Sequence, residues 1–314
     1  MNKFEYYQIN VLQRKPMAIA HFLNYLLLKY SFKGADIIGS LISKLLIREP
    51  KGSVVCPTIF GYSFIVNPII DKGIEESIYF RGSYEMGTIY FLKKVLREND
   101  IYLDVGANIG VLCIAASKFV GRNGKVYAFE PEIEMSSILQ ENVKLNRLEN
   151  IYCYNIACGS SKQKMLIYKN LVVNRGSASL IKPQGDSSGV EVLVETLDDF
   201  AQTKHIGDVR MVKIDVEGWE LEVLKGAKDL LSKSKAPIIC IEYSHLHPVH
   251  NGRLQDIYNY LLNINYYRIF RLKKGKGNPS KLIKIQGESD LPYHDNLFCF
   301  LPFHLESLPK RMFE

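Results

Sequence analysis

From residue 101 onward, short apolar runs alternate with stretches of helical spacing. Ile101 to Val105, Lys125 to Phe129, Ile151 to Ile156, Arg210 to Ile214 and Pro237 to Glu242 read as buried strands. The helices predicted between and after them are Ile109 to Val120, Pro131 to Asn146, Trp219 to Leu231 and Leu254 to Leu262. The second turns Met135, Ile138, Leu139 and Val143 to one side, and the third buries Val223, Leu224, Ala227, Leu230 and Leu231. Alternation of this kind predicts an α/β fold, a mostly parallel sheet with helices on both faces. Two last strands, Tyr266 to Leu272 and Asn296 to Leu301, have no helix between them and predict an antiparallel edge pair. The rhythm breaks over residues 157–200. There Met165 to Tyr168 and Val190 to Val194 flank a Gly/Ser-rich loop, Asn174 to Gly189, which reads as an insertion over the sheet edge.

Residues 1–50 follow a different pattern. Phe22, Tyr25, Leu26 and Lys29 show helical spacing, as do Ile37, Ile38, Leu41, Ile42 and Leu45, with Lys33, Lys44 and Arg48 nearby. One reading is a helical extension packed on the main domain. The other is a basic amphipathic element that makes peripheral contact with a membrane or a partner. Val54-Val55 and Ser63 to Val66 flank Gly61 as in a hairpin. Gly82 to Gly87 is a break, and Thr88 to Arg97 is a helix leading into the strand at 101. The expected division is an N-terminal, mainly helical extension over 1–80, one domain over 81–301 and a tail over 302–314.

Composition adds little to this picture. At 314 residues, 47% hydrophobic and 23% charged, the chain is an ordinary globular one. The six cysteines include no Cys-x-x-Cys pair and read as thiols in a reducing, cytoplasmic setting. Glu5 and the lack of a cleavable apolar core argue against a signal peptide. Met17 to Leu28, the longest apolar stretch, is too short to span a bilayer. A formal net charge of +7 permits an anionic substrate or surface without requiring one.

Candidate chemistry begins at Ile101 to Gly110. Asp104 ends a strand, Gly106 and Gly110 frame a tight turn, and Asn108 is placed to cap the following helix. Glycines let the backbone approach a ligand, and a helix start presents free N–H groups to it. Glu130 follows Gly110 by 20 residues, at the end of the next strand, as suits a carboxylate that accepts from ribose hydroxyls. The turn lacks G-x-G-x-x-G, so a dinucleotide is not the first choice. An acid two residues before the first glycine suits a ligand with an ammonium group and no pyrophosphate, such as S-adenosylmethionine (SAM).

Several ordered motifs carry a family resemblance over about residues 85–301. Asp104-Val-Gly-Ala-Asn-Ile-Gly110, Ala128-Phe-Glu-Pro131, Leu197-Asp198, Lys213-Ile-Asp-Val-Glu-Gly218, Leu224-Lys-Gly-Ala227 and Asn296-Leu-Phe298 resemble those of FkbM-family methyltransferases. These are class I SAM-dependent enzymes that mostly methylate hydroxyl oxygens. The resemblance implies a Rossmann-like, seven-stranded sheet, parallel but for one antiparallel strand, with SAM at the carboxyl ends of the central strands. It implies that Asp104, Gly106, Asn108 and Gly110 hold the methionine and ribose parts and that Glu130 binds the ribose. It places Asn155 and Ala157 where adenine is held, and Glu85 within reach of the ammonium group.

An alcohol is a poor nucleophile until it loses its proton, so an acceptor-side carboxylate is expected. Asp215 is the first candidate, as base or substrate orienter, and Glu217 the second. The other reading of Glu217 is a cap on the next helix. Lys213 alternates with Asp215 and pairs with a carboxylate in one reading. Glu242 ends the next strand, on the substrate side. His245, with His247 and His250, is a candidate base; His-x-His near acids also suits a metal, so a divalent ion stays open. Asn174 and Ser179 lie in the loop expected over the cleft. Arg268, Arg271, Lys273, Lys274, Lys276, Lys281 and Lys284 crowd the last two strands and suit an anionic substrate or a solvated loop.

The expected partner is a hydroxylated small molecule, sugar or glycan. A nucleic-acid methyltransferase is the alternative that the net charge suggests. Asp215-Val-Glu-Gly stands where base-amino methylases carry Asn/Asp-Pro-Pro-aromatic, so no nucleic acid is expected. A catalytically silent scaffold is the other alternative. Oligomeric state is not legible.

Overall fold

The computed structural model describes residues 6–9, 11–30, 34–168, 178–182, 188–247, 249–250 and 252–314. Its central sheet has eight strands, numbered here within that sheet: β1 (Ile101–Val105), β2 (Lys125–Phe129), β3 (Ile151–Tyr154), β4 (Val209–Ile214), β5 (Ile238–Ser244), β6 (Arg268–Leu272), β7 (Leu282–Lys284) and β8 (His294–Phe300). Their order is β7-β6-β8-β5-β4-β1-β2-β3. The pairs among β3, β2, β1, β4 and β5 are parallel, and β8 enters antiparallel between β5 and β6. Seven strands thus follow the expected arrangement. The eighth, β7, pairs antiparallel with β6 where the sequence reads only as a basic loop.

Alternation along the strands builds two cores. Tyr102, Val126, Met211, Cys240 and Phe298 face one layer; Leu103, Val105, Val212, Ile241 and Leu297 face the other. The first layer includes Met17 and Ala20 from the helix Val11–Tyr30 and Phe64 from the hairpin Val54–Pro57/Ser63–Val66. The edge of that hairpin is closed by side chains. Asn142 Oδ1 accepts from the Ile65 N–H at 2.7 Å, and Asn146 Oδ1 from the Ser63 N–H at 2.9 Å. Among the described residues no helix is long and apolar enough to cross a membrane.

Three local expectations need correction. Asn108 has φ +51° and does not cap a helix; that helix runs Val111–Val120 behind Gly110. Pro131 does not start the next one, because the Glu132 carboxylate caps Ile133–Leu145 by accepting from the Met135 N–H at 2.7 Å. The helix expected over 219–231 is broken into Glu220–Lys225 and Lys228–Ser232. A side chain at Gly226 would overlap the Gly159 carbonyl oxygen, so the backbone at the break packs directly on the inserted segment. That segment forms its own small sheet, in which Gln163–Ile167 runs antiparallel to Val190–Glu195, and Val190–Glu195 parallel to Ala157–Cys158.

Candidate active site

A cavity of about 440 Å³ opens at the carboxyl ends of β1, β2, β4 and β5, where open α/β sheets bind ligands. Its first half is local in sequence. The Asp104 side chain is buried at the end of β1, and its Oδ2 has no hydrogen-bond partner. Burial pushes this carboxyl up to about 7; Lys213 opposes the shift, and Asp215 and Glu85 add to it. Glu130 is also raised to about 7 by burial. Its two oxygens accept from the backbone N–H groups of Asn108 (2.8 Å) and Glu132 (2.9 Å), which fixes the carboxyl at the cavity wall. Each oxygen keeps a lone pair for a ligand hydroxyl. Gly106, at φ +82°, must be glycine for a second reason: a Cβ there would overlap the carbonyl oxygen of Asp215.

The second half is assembled from distant segments. Lys213, 1% exposed, reaches from β4 to Asp215 Oδ2 at 2.8 Å. Burial opposes ionisation of Asp215, but Lys213 and Lys276 outweigh it and hold the carboxylate below its usual range. On the neighbouring strand, burial and Asp215 push Glu242 up to about 8. Lys276 Nζ lies 2.6 Å from Glu242 Oε1 and 3.2 Å from Glu85 Oε1. Burial works against its charge, yet Glu85, Glu242 and Asp215 keep it protonated. Glu85 is further held by Asn296, whose Nδ2 donates to it at 3.0 Å. His247 Nε2 sits 2.7 Å from Glu217 Oε2, and that hydrogen bond raises the imidazole's pKa. His294 moves the other way under burial and Lys276; its Nδ1 lies 2.9 Å from the Ser244 hydroxyl.

Backbone strain collects here. Of the seven non-glycine residues with positive φ among the described ones, Glu85, Asn108 and Glu217 line the cavity. Each such conformation costs on the order of 1–3 kcal/mol. The turn at Glu217 is fastened by Glu220, whose Oε1 accepts from the N–H groups of Val216 (3.0 Å) and Gly218 (3.2 Å). Glu217 does not cap the next helix, which starts at Glu220 behind Trp219 with no side-chain cap.

The structure brings Glu85, Asp104, Gly106, Asn108, Glu130, Ala157, Asp215, Glu217 and Glu242 to one cavity. Four other candidates are elsewhere. Gly110 lies behind the turn, where a Cβ would press on Leu139. Asn155 donates to the carbonyls of Glu130 (2.8 Å) and Pro131 (2.9 Å), shaping the wall from behind. Ser179 donates to the Glu217 carbonyl at 2.8 Å. His245 is exposed and stacked on Tyr293 at 5.2 Å, because the strand β5 ends before it and turns it outward. Asn174 lies outside the described residues.

Sequence reasoning did not single out Lys276 from the seven basic residues it grouped near the last two strands, and it missed His294. The available signal was topological. The loop after β6 emerges at the same sheet end as the loop after β5, and Gly87 lets it approach, since a Cβ there would press on the Lys276 and Asn278 carbonyls. Glu217, Glu242 and His247 present donor atoms within 4.8 Å of one another, as do Asp215, Glu220 and Glu242. The compensating charge beside Asp215 and Glu242 is ammonium, from Lys213 and Lys276.

Residues 104–268 match the family model described as the methyltransferase FkbM domain. The hexuronic acid methyltransferase AglP of Haloferax volcanii is 27% identical over 158 residues, covering 49% of this chain and 61% of that protein. Methyltransferase sdnD of Sordaria araneosa is 26% identical over 163 residues, covering 43% of this chain and 62% of that protein. The matched region thus spans about three fifths of these relatives. Among solved structures, a precorrin-6y C5,15-methyltransferase from Geobacter metallireducens superposes with a TM-score of 0.40 at 15% identity, covering 73% of this chain and 93% of that one. The family match covers more than half of the sequence, and the chain, an α/β fold, belongs to the FkbM methyltransferases.

Proposed function

We propose that this protein transfers a methyl group from SAM to a hydroxyl oxygen of a small molecule, sugar or glycan. The observation that carries the reading is the pair of halves in one cavity: a buried acid, Asp104, with one carboxylate oxygen unpartnered, beside a cluster of acceptor-side carboxylates. The residues fit SAM. Asp104 and Glu85 offer carboxylates to a cationic ligand, Glu130 offers oxygens to a diol, and Ile156, Ala157 and Cys158 give a wall with no charge for a flat ring. The methyl on a sulfonium supplies the electrophile; the protein's task is to orient an oxygen and remove its proton.

Asp215 stays ionised and is the orienting acceptor of the substrate O–H. Glu242 is the better-matched base, because a group titrating near the working pH transfers protons most effectively. Both stand at the carboxyl ends of adjacent parallel strands, with Ile214 paired to Ile241 just before them. Support for a sugar acceptor comes from the relative named for hexuronic acid.

The test is calorimetric titration with SAM and with its demethylated product, followed by a screen of hydroxylated acceptors with uronic acids and glycans first. Saturable binding and methyl transfer to oxygen uphold the proposal. Absence of SAM binding at millimolar ligand, or transfer only to nucleic acid, overturns it. Loss of turnover in His294→Ala with retention in Glu242→Gln would move the base to the neutral imidazole.

A further inference from the structure

The N-terminal helices present an apolar face that the fold leaves uncovered. In Ala35–Leu46, Ile37, Leu41 and Leu45 recur at i, i+4 and i+8, on one side of the helix, with exposures of 75%, 60% and 76%. Ile38 and Leu46 are exposed beside them, and Ile19 and Phe22 of Val11–Tyr30 are more than half exposed. Frayed packing does not account for this. The two helices pack on each other and are clasped by Asn24, whose Nδ2 donates to the Ser43 hydroxyl at 2.8 Å and the Ala20 carbonyl at 2.9 Å. The inner side is thus fastened, and the outer side is left apolar. Folded monomers rarely leave a contiguous patch of this kind in water.

Charge identifies what covers it. Residues 1–52 contain eight Lys and Arg against three Asp and Glu, so they carry five of the seven net positive charges. Arg14, Lys15, Lys29, Lys44, Arg48 and Lys51 are exposed, and among the described residues no salt bridge uses any of them. A second copy of the chain would bring the same positive rim against itself. An apolar face with a basic rim is instead the complement of a bilayer carrying anionic headgroups, in which helices lie at the interface and do not span.

We infer that the face formed by Val11–Tyr30 and Ala35–Leu46 docks this protein on an anionic phospholipid surface. The docking face is mechanically tied to the cavity. The helix Ile74–Arg81 packs on both N-terminal helices, and its first residue, Ile74, lines the cavity.

The experiment is flotation of the full-length protein with vesicles of phosphatidylcholine alone and of phosphatidylcholine with phosphatidylglycerol. The variants Leu41→Glu/Leu45→Glu and Lys44→Glu/Arg48→Glu alter only exposed positions, and circular dichroism and SAM titration verify their fold. The expected result is binding to the anionic vesicles at least about tenfold tighter than to neutral ones, weakened by high salt. Each double variant should lose about tenfold or more. Equal binding to both vesicles, or undiminished binding of both variants, overturns the inference. So does a dimer in sedimentation that Leu41→Glu/Leu45→Glu separates, since a second copy would then occupy the face.

Discussion

The two halves of the cavity hold their carboxylates by different means. At Asp104 and Glu130 the acids are buried without a lysine bonded to them; Glu130 is held by backbone N–H groups, and Asp104 Oδ2 by nothing. At Asp215 and Glu242 each acid has an ammonium group within 2.8 Å. The first arrangement leaves negative charge unspent until a cation arrives. The second fixes side chains from β4, β5 and the 276 loop relative to one another before any ligand binds. A methyl donor that carries positive charge and an acceptor that must be aligned make those two different demands.

The largest effect that separates the halves should come from Glu242→Gln. If Glu242 removes the acceptor proton, turnover falls by about 10²–10⁴-fold, while SAM affinity is unchanged. The rate of the parent enzyme should rise with pH and level off above about 8, as Glu242 loses its proton. A loss of SAM affinity equal to the loss of rate would show that the halves are not separable.

Asp104→Asn should do the reverse, weakening SAM binding by roughly 30–150-fold, about 2–3 kcal/mol, as when one partner of a buried charge pair is removed. The parent's SAM affinity should climb with pH through about 7, because the ionised acid is the binding form. Stability has the opposite sign. The folded-state pKa lies above the unfolded value of 3.8, so the folded protein binds the extra proton, and stability falls as pH rises from about 4 to about 7. Asp104→Asn should therefore stabilise the ligand-free protein at pH 8, on the order of 2–4 kcal/mol. Urea midpoints at pH 5 and pH 8 check this; a destabilised variant at pH 8 would contradict it.

The contrast also explains what was legible in the sequence. The first half is built from one βαβ unit, so Asp104, Gly106 and Glu130 stand at readable spacings, and the alternating strands gave away the sheet. The second half depends on tertiary closure. Glu85, Lys276 and Asn296 lie up to 211 residues apart and meet only because β8 and the loop after β6 return to the same sheet end. Periodicity carries no information on such meetings. Errors within the first half had a different origin. Asn108 occupies positive φ, a turn conformation, so the first helix starts behind Gly110, and the Glu132 carboxylate caps the second in place of a start at Pro131.

Lys276→Met offers a finer test within the second half. It leaves Glu85 and Glu242 buried without their shared cation, so turnover should fall about tenfold, roughly 1.4 kcal/mol. The sign of the pH shift is the sharper readout. Lys276 lowers the Glu242 pKa, so its removal should move the rising limb of the rate profile to higher pH. An unmoved limb would mean that Glu242 is not the group seen in the profile.

The smallest effect distinguishes two histidines that are two residues apart. His245 stacks on Tyr293 outside the cavity, whereas His247 pairs with Glu217 inside it. His245→Ala should leave turnover within about twofold, since an exposed stacking pair contributes a few tenths of a kcal/mol and touches no reacting group. His247→Ala removes the hydrogen-bond partner of Glu217, a strained residue at φ +55°. It should raise the KM for the acceptor more than it lowers kcat, because Glu217 would lose its anchor at the rim while Asp215 and Glu242 keep theirs. If instead His245→Ala alone were costly, the strand end would have to turn over in the working enzyme, and the division between a cavity histidine and a surface one would fail.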